Sequence, residues 1–401
     1  MPNRYPENSN RPHGWIGGKR GHKARPFEWL AEKGIFLVSL SAIASVFLIF
    51  LFVGREALPV FLGQTNSAAV QDVIPARELE PLLSDNPERL RRYLDLKPSQ
   101  FSQMRAEKGL ETLKILMEVK EEEGKEAPKD KDGKVNTSAW RYLTSPYQWT
   151  GYEKPEYIWQ PISAIHKYNI VPLFIGSLKA TTVALLFAVP ISLGAALFVS
   201  QLCSPRLKEW LKPSIELLAG IPSVVLGFFG LIVMATLLQN IFGYQSRLNA
   251  FVAGIALGLS VIPVVFSIAE DALTSVPRAY SQAALALGAT RWQTAWQIVL
   301  PAALPGVLAA VILGFGRAIG ETMVVLMASG NASIVSASLF DSTRTITATI
   351  AAELAEAVFG GHHYRMLFML GTLLFAVTFC ANWVADTVIH RLKMKLEGKV
   401  R

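Results

Sequence analysis

Six apolar blocks, each long enough to cross a bilayer as a helix, constrain this 401-residue chain more than any other feature. They fall at about 35–53, 171–199, 217–241, 249–268, 304–327 and 366–384. In hydrocarbon every backbone amide must find its partner inside the segment, so blocks of this kind are helical. The expected fold is an all-α membrane protein with six transmembrane helices. Only 17% of residues are charged, and the net charge of +8 is concentrated between the blocks rather than on a nucleic-acid-binding face. Arg4, Arg11, Lys19, Arg20, Lys23, Arg25 and Lys33 precede the first block. Arg206, Lys208 and Lys212 follow the second, and Arg391, Lys393, Lys395, Lys399 and Arg401 follow the last. Six crossings put all three basic groups on one side, as the positive-inside rule requires, so both termini are expected in the cytoplasm. The first block is too long for a cleaved signal peptide and reads as a retained anchor.

Between the first and second blocks lies a polar insert, 55–168, expected outside the cytoplasm. Its stretch 77–119 predicts two or three amphipathic helices, and 121–132 is a solvated charge run. Asp130, Asp132 and Gly133 echo a calcium loop that lacks its closing glutamate. Trp140, Tyr142, Tyr147, Trp149, Tyr152, Tyr157 and Trp159 then crowd together. That cluster suits either a membrane or protein contact or a small aromatic core. His362 and His363 have no ligand partners at metal spacing and read as a solvated loop, and Cys203 and Cys380 predict no disulfide.

The loop 270–301 carries a helix–turn–helix. Ala283, Ala284, Leu285 and Leu287 favour helix, and Gly288 stops it. Thr290 and Gln293 make a capping box for the next helix, on which Trp292, Ala295, Trp296 and Val299 form one apolar face. Leu300-Pro301 is expected to end or bend that helix. With only Arg278 and Arg291 as cations, the unit is no DNA reader.

Arg317 and Glu321 interrupt the fifth block. A charge near the bilayer centre costs about 2.5–3.5 kcal/mol on insertion scales. Four-residue spacing sets the two on one helical face, where they can pair. Gly316 and Gly320 have the small-xxx-small spacing that admits a neighbouring helix. Spacing leaves two readings open: a structural ion pair, or an arginine fork offered to an oxyanion with Glu321 positioning it. The chain has no phosphate-cradling G-x-x-x-x-G-K-[ST] loop and no nucleophile or paired-carboxylate constellation. No catalytic residue, cofactor or metal is expected.

The loop residues Ala283, Ala284, Gly288, Ile298, Leu300 and Pro301 resemble the cytoplasmic EAA signature of ABC importer permeases. Gln282 stands where that signature has its leading glutamate. LLAGIPSVVLGFFGL (217–231), GRAIGETMVVLMASGNA (316–332), REALPVF (55–61) and TITATIAAELAEA (345–357) are similar to the phosphate-specific transport permeases, to the PstC branch more than the PstA branch. The likeness covers the first block and nearly everything after Trp159, and omits 65–158.

The resemblance implies the type I ABC importer permease fold, with the large extracytoplasmic insert between helices 1 and 2. Hydropathy, charge and this resemblance together divide the chain into a basic segment 1–33, helix 1 at 34–54, the insert 55–168, a permease core 169–388 and a basic tail 389–401. It implies a bacterial inner-membrane complex with a PstA-like sister permease, a PstB-like ATPase dimer and a PstS-like phosphate-binding protein. Gln282, Ala283, Ala284, Gly288, Ala289, Trp292 and Trp296 would dock on the ATPase. Arg317, Glu321, Thr322 and Ser223 would line the phosphate pathway. Gly220 and Pro222 match the family's broken-helix motif, and Gly316 and Gly320 would serve packing. Pro222 is either a plain kink or a break that frees backbone groups to line a cavity. Sulfate, molybdate or tungstate permeation, or a sensor or scaffold role in phosphate signalling, are the competing functions.

Overall fold

The computed structural model describes residues 26–62, 74–94, 96–106, 109–126, 140–149, 152–163 and 166–396. The basic residues of 1–25, the calcium-loop echo at 130–133, Lys399 and Arg401 lie outside the described residues. Among the described residues, six helices are long and apolar enough to cross a membrane: Lys33–Phe61 (span 1), Val171–Leu202 (span 2), Ser223–Phe242 (span 3), Ala250–Thr274 (span 4), Arg291–Gly320 (span 5) and His362–Arg391 (span 6). The chain forms two units, Met1–Phe52 and Val53–Arg401. In the first, side chains 33–52 of span 1 are exposed, and nearly all from 35 onward are apolar, a surface suited to lipid.

Span 4 is the most buried of the six and organises the second unit. Small residues let its neighbours approach. A Cβ at Gly254 would lie 2.4 Å from the Val183 Cβ of span 2, and one at Gly258 would lie 2.7 Å from Phe187. This Gly-x-x-x-Gly seam does what the sequence assigned to Gly316 and Gly320. Within this chain a Cβ at Gly320 would meet nothing within 4 Å, and one at Gly316 only Asn382, at 3.9 Å. The Ser192 hydroxyl of span 2 also donates to the Ile262 carbonyl at 3.0 Å. Gly254→Val should therefore overpack the seam by about 1–3 kcal/mol. We expect a lowered midpoint in thermal unfolding of the detergent-solubilised protein, with Gly320→Ala near wild type.

Span 4 begins against the segment between spans 5 and 6. Its first amides, Ala250 and Phe251, donate to the carbonyls of Asp341 and Leu339, and Asn249 caps Val252. The section 331–365, polar by composition, holds the helix Ile346–Glu353, which packs with Ser177 of span 2 through the Ile346 amide.

Among the described residues, the stretch expected to form two or three amphipathic helices holds four: Leu79–Asp85, Pro87–Tyr93, Pro98–Ala106 and Leu110–Glu126. Asn86-Pro87 and Lys97-Pro98 divide what periodicity alone would run together, since proline suits the first helical turn and breaks an interior one. Leu90, Tyr93, Phe101, Leu113 and Met117 form its core. Trp149, Trp159 and Tyr168 are buried, the last two packed against the start of span 6, which favours the core reading of the aromatic cluster. Trp140 is exposed. His362 and His363 are buried rather than solvated. Both rings pack on Tyr168, and His363 Nε2 lies 3.4 Å from Glu353. Glu353 also pairs with Arg344 at 2.9 Å and accepts from the Trp159 indole at 3.0 Å. Burial holds its carboxyl above the ordinary value despite the arginine. Cys203 and Cys380 are free thiols.

Candidate substrate pathway and coupling elbow

At the start of span 3 and the end of span 5 the helix boundaries differ from the hydropathy reading in ways that bear on the site. The loop after span 2 is the amphipathic helix Pro205–Leu217, followed by a 3-10 turn at Leu218–Gly220. Ile221 and Pro222 are extended (ψ 124° and 136°), and Ser223 restarts the helix as span 3. Leu217 therefore belongs to the preceding helix. Pro222 is a full interruption and not a plain kink.

Span 5 is the second case. It ends at Gly320 rather than at Met327, and Arg317 stands in its last turn. Glu321 is extended (φ −71°, ψ 134°), and Met323–Ala328 is a separate short helix. The expected Arg317–Glu321 pair is not formed, because four-residue spacing brings side chains together only while the helix continues. Instead Glu321 Oε1 accepts from the Thr322 and Met323 amides at 3.2 and 3.3 Å. The Glu321 carbonyl accepts from the Thr347 hydroxyl at 2.9 Å. Arg317 is exposed, and among the described residues no carboxylate lies within ion-pair distance of it.

Packing fixes the depth of these breaks. A Cβ at Gly306 would touch Ala272, and one at Gly314 would touch Val265 and Val261, so spans 4 and 5 run antiparallel. Continuing that register sets Arg317 level with the middle of span 4. A Cβ at Gly230 would meet Ala256, and Ser267 donates to Glu216, which sets Ser223 at a similar level. Span 3 also touches the short helix beyond Glu321, since a Cβ at Gly227 would lie 3.0 Å from the Met323 carbonyl. Two helix interruptions, 221–222 and 321–322, thus meet span 4 near its midpoint. Thr322 lines a cavity of about 430 Å³ with Thr347, Ile350, Ala351, Leu354 and Ala355. Ser223 is half-buried and Gly220 is exposed.

The elbow follows span 4. Its first helix, Arg278–Ala286, closes at Gly288, whose φ of +87° is left-handed. The Gly288 and Ala289 amides donate to Leu285 and Ala284, completing the turn. The capping box forms as the sequence predicts: Thr290 Oγ1 accepts from the Gln293 amide, and Gln293 Oε1 accepts from the Thr290 amide. The next helix does not end at Leu300-Pro301. A π-turn at Ala295–Val299 lets it run straight into span 5. Such widening accommodates the carbonyl that Pro301 would otherwise strike and the amide it lacks. The predicted single apolar face is split. Ala295 and Val299 are buried, while Trp292 and Trp296 are 58% and 55% exposed and stack with ring centroids 6.0 Å apart. Leu287 is 90% exposed, Gln282 and Ala283 are exposed, and Ala284 is buried. The elbow therefore presents an apolar surface that nothing in the described chain covers.

One charged cluster escaped the sequence reading. Hydropathy ended span 4 at Ile268, but the helix continues to Thr274, and Glu270 is 1% exposed. Its two oxygens pair with Lys208 and Lys212, each at 2.6 Å. Lys212 also reaches Asp271 at 3.0 Å, and the hydrogen bond to Glu270 raises the affinity of its amine for its proton. No contiguous sequence signal marks the cluster, because the two lysines lie about sixty residues upstream of the acidic pair.

Residues 188–394 match the family described as binding-protein-dependent transport system inner membrane component. The PstC phosphate transport system permease of Mesorhizobium japonicum is 34% identical over 253 residues, 58% of this chain and 76% of the relative. The probable ABC transporter permease YqgH of Bacillus subtilis is 34% identical over 222 residues, 55% and 72% of the two chains. Among solved structures, an inward-facing MetNI methionine ABC transporter matches at 17% identity and TM-score 0.43, over 56% of this chain and 94% of that one.

The chain belongs to the binding-protein-dependent transport permeases: it is an integral inner-membrane subunit of an ABC importer, a transport component and not an enzyme. Within that family its curated relatives include PstC phosphate permeases from several bacteria, the branch its own motifs resemble.

Proposed function

We propose that this permease carries inorganic phosphate into the cell, with both of its termini in the cytoplasm and the insert outside. The observation that carries the reading is Arg317, a guanidinium near the midpoint depth of span 4 with no described carboxylate to neutralise it. Such a charge is too costly to face lipid, so its exposed side belongs to a partner or a polar pathway. Its planar donor fork suits a tetrahedral oxyanion. The interruption of span 3 at 221–222 lies at the same depth, and broken helices commonly build the substrate sites of transporters. Thr322 and Ser223 would add hydroxyl donors, and Glu321 would shape the turn beside them.

In this reading a PstA-like sister permease completes the pathway and a PstS-like protein delivers phosphate from outside. A PstB-like ATPase dimer grips the elbow through Gln282, Ala283, Gly288, Trp292 and Trp296, with Ala284 and Ala289 holding the turn. ATP-driven closure pushes the elbow, and the bundle alternates between inward- and outward-facing states. A pathway site must also release its ion, so affinity here is weak.

Co-expression with the sister permease, ATPase and binding protein, followed by radiolabelled phosphate uptake into proteoliposomes, tests this. ATP-dependent uptake that excess phosphate suppresses, and that sulfate, molybdate and tungstate leave unchanged, is expected. Stronger competition by one of those anions would reassign the substrate, and an assembled complex with no uptake would favour a sensor or scaffold.

A further inference from the structure

The Glu270 cluster joins two parts of the molecule that the proposed mechanism moves but does not connect. Pro205–Leu217 lies along the last turns of span 4, held by Lys208 and Lys212 on Glu270. Lys212 on Asp271 and Ser267 on Glu216 extend the contact. The Thr274 hydroxyl adds a third bond to Glu270 at 2.8 Å. Downstream, span 4 reaches the elbow helix within four residues of Thr274. At its other end, Pro205–Leu217 leads through Leu218–Gly220 into the interruption at Ile221-Pro222, level with Arg317.

We propose that Glu270 is a positioning residue that transmits displacement of the elbow to the break in span 3. A carboxylate this buried with both oxygens on ammonium groups holds its geometry more firmly than a surface pair would. The lysine side chains are only about one-third exposed, so both helices are committed to the contact. When span 4's end shifts with the elbow, the amphipathic helix is carried with it, and Ser223 moves relative to Arg317. Apolar packing alone would let the two helices slide.

The inference rests on the importer reading, and its test has one arm that needs no knowledge of the substrate. In the assembled complex, Glu270→Gln should lower phosphate moved per ATP hydrolysed at least tenfold while ATP hydrolysis continues. Glu270→Asp should recover part of the ratio, and Lys212→Gln, which leaves Lys208 in place, should fall between. A purely structural role would lower transport and hydrolysis together, in step with the folded fraction. Independently, hydrogen exchange across 205–223 should differ between ATP-bound and nucleotide-free wild-type complexes. That difference should vanish in Glu270→Gln and shrink in Lys212→Gln. Nucleotide-dependent exchange that persists unchanged in both variants, or an unaltered transport-to-hydrolysis ratio, overturns the proposal. Failure of wild-type phosphate uptake with the exchange response intact would sink the substrate assignment and leave this link standing.

Discussion

Replacing Arg317 with Gln should reduce ATP-dependent phosphate uptake by about 100-fold while the complex assembles and is solubilised as before. The size follows from the chemistry of the group. Charge-assisted hydrogen bonds contribute about 1.5–3 kcal/mol each, and a fork engages an oxyanion with two. About 3 kcal/mol of lost stabilisation corresponds to roughly a hundredfold. Glutamine keeps hydrogen-bonding capacity and much of the length but lacks the charge and the fork. Arg317→Lys separates those two: it retains the charge as a compact ammonium and should recover uptake only in part. A structural role makes the opposite forecast. Glu321 is already committed to the Thr322 and Met323 amides, so no ion pair is broken by the substitution. If uptake stays normal in Arg317→Gln while the unfolding midpoint drops, the arginine serves packing and the pathway lies elsewhere.

How much of this was legible in sequence depends on the kind of feature. The six spans were, because length and apolarity are properties of a contiguous segment. So was the capping box, whose partners are three residues apart. The end of span 5 was not. Met323, Val324 and Val325 are as apolar as any span, so hydropathy runs across a break that is made by the backbone at Gly320 and Glu321. Treating Arg317 and Glu321 as helical neighbours was the consequence. At Pro301 the sequence allowed an end or a bend, and the end is ruled out because a π-turn carries the helix past the proline. Glu270 was invisible for a third reason. Its two lysines lie about sixty residues upstream, and only tertiary packing turns an acidic helix end into a buried carboxylate. The buried histidines at 362 and 363 belong to the same class, since they depend on Tyr168 and Glu353.

Gly288→Val should separate the permease from its ATPase while leaving the membrane-embedded part folded. Gly288 has a φ of +87°, and a Cβ there would meet nothing within 4 Å. Space is therefore not the obstacle; the backbone conformation is. A left-handed residue costs an L-amino acid roughly 1–2 kcal/mol, and β-branching makes the region less accessible still. The elbow has few ways to absorb that. Its turn is closed by only two amide bonds, from Gly288 and Ala289, and Leu287 beside it is fully turned outward. Relaxing the turn re-aims Arg278–Ala286 relative to Trp292 and Trp296, so the surface proposed to meet the ATPase loses its shape. Because spans 4 and 5 pack through residues remote from the turn, the solubilised permease should keep its unfolding midpoint. Copurification of the ATPase should fall at least tenfold, and phosphate uptake with it. Gly288→Asn is the control, since asparagine tolerates left-handed backbone far better than valine and should retain most of the complex. Full copurification and full uptake in the valine variant would mean that the motor grips some other part of the chain.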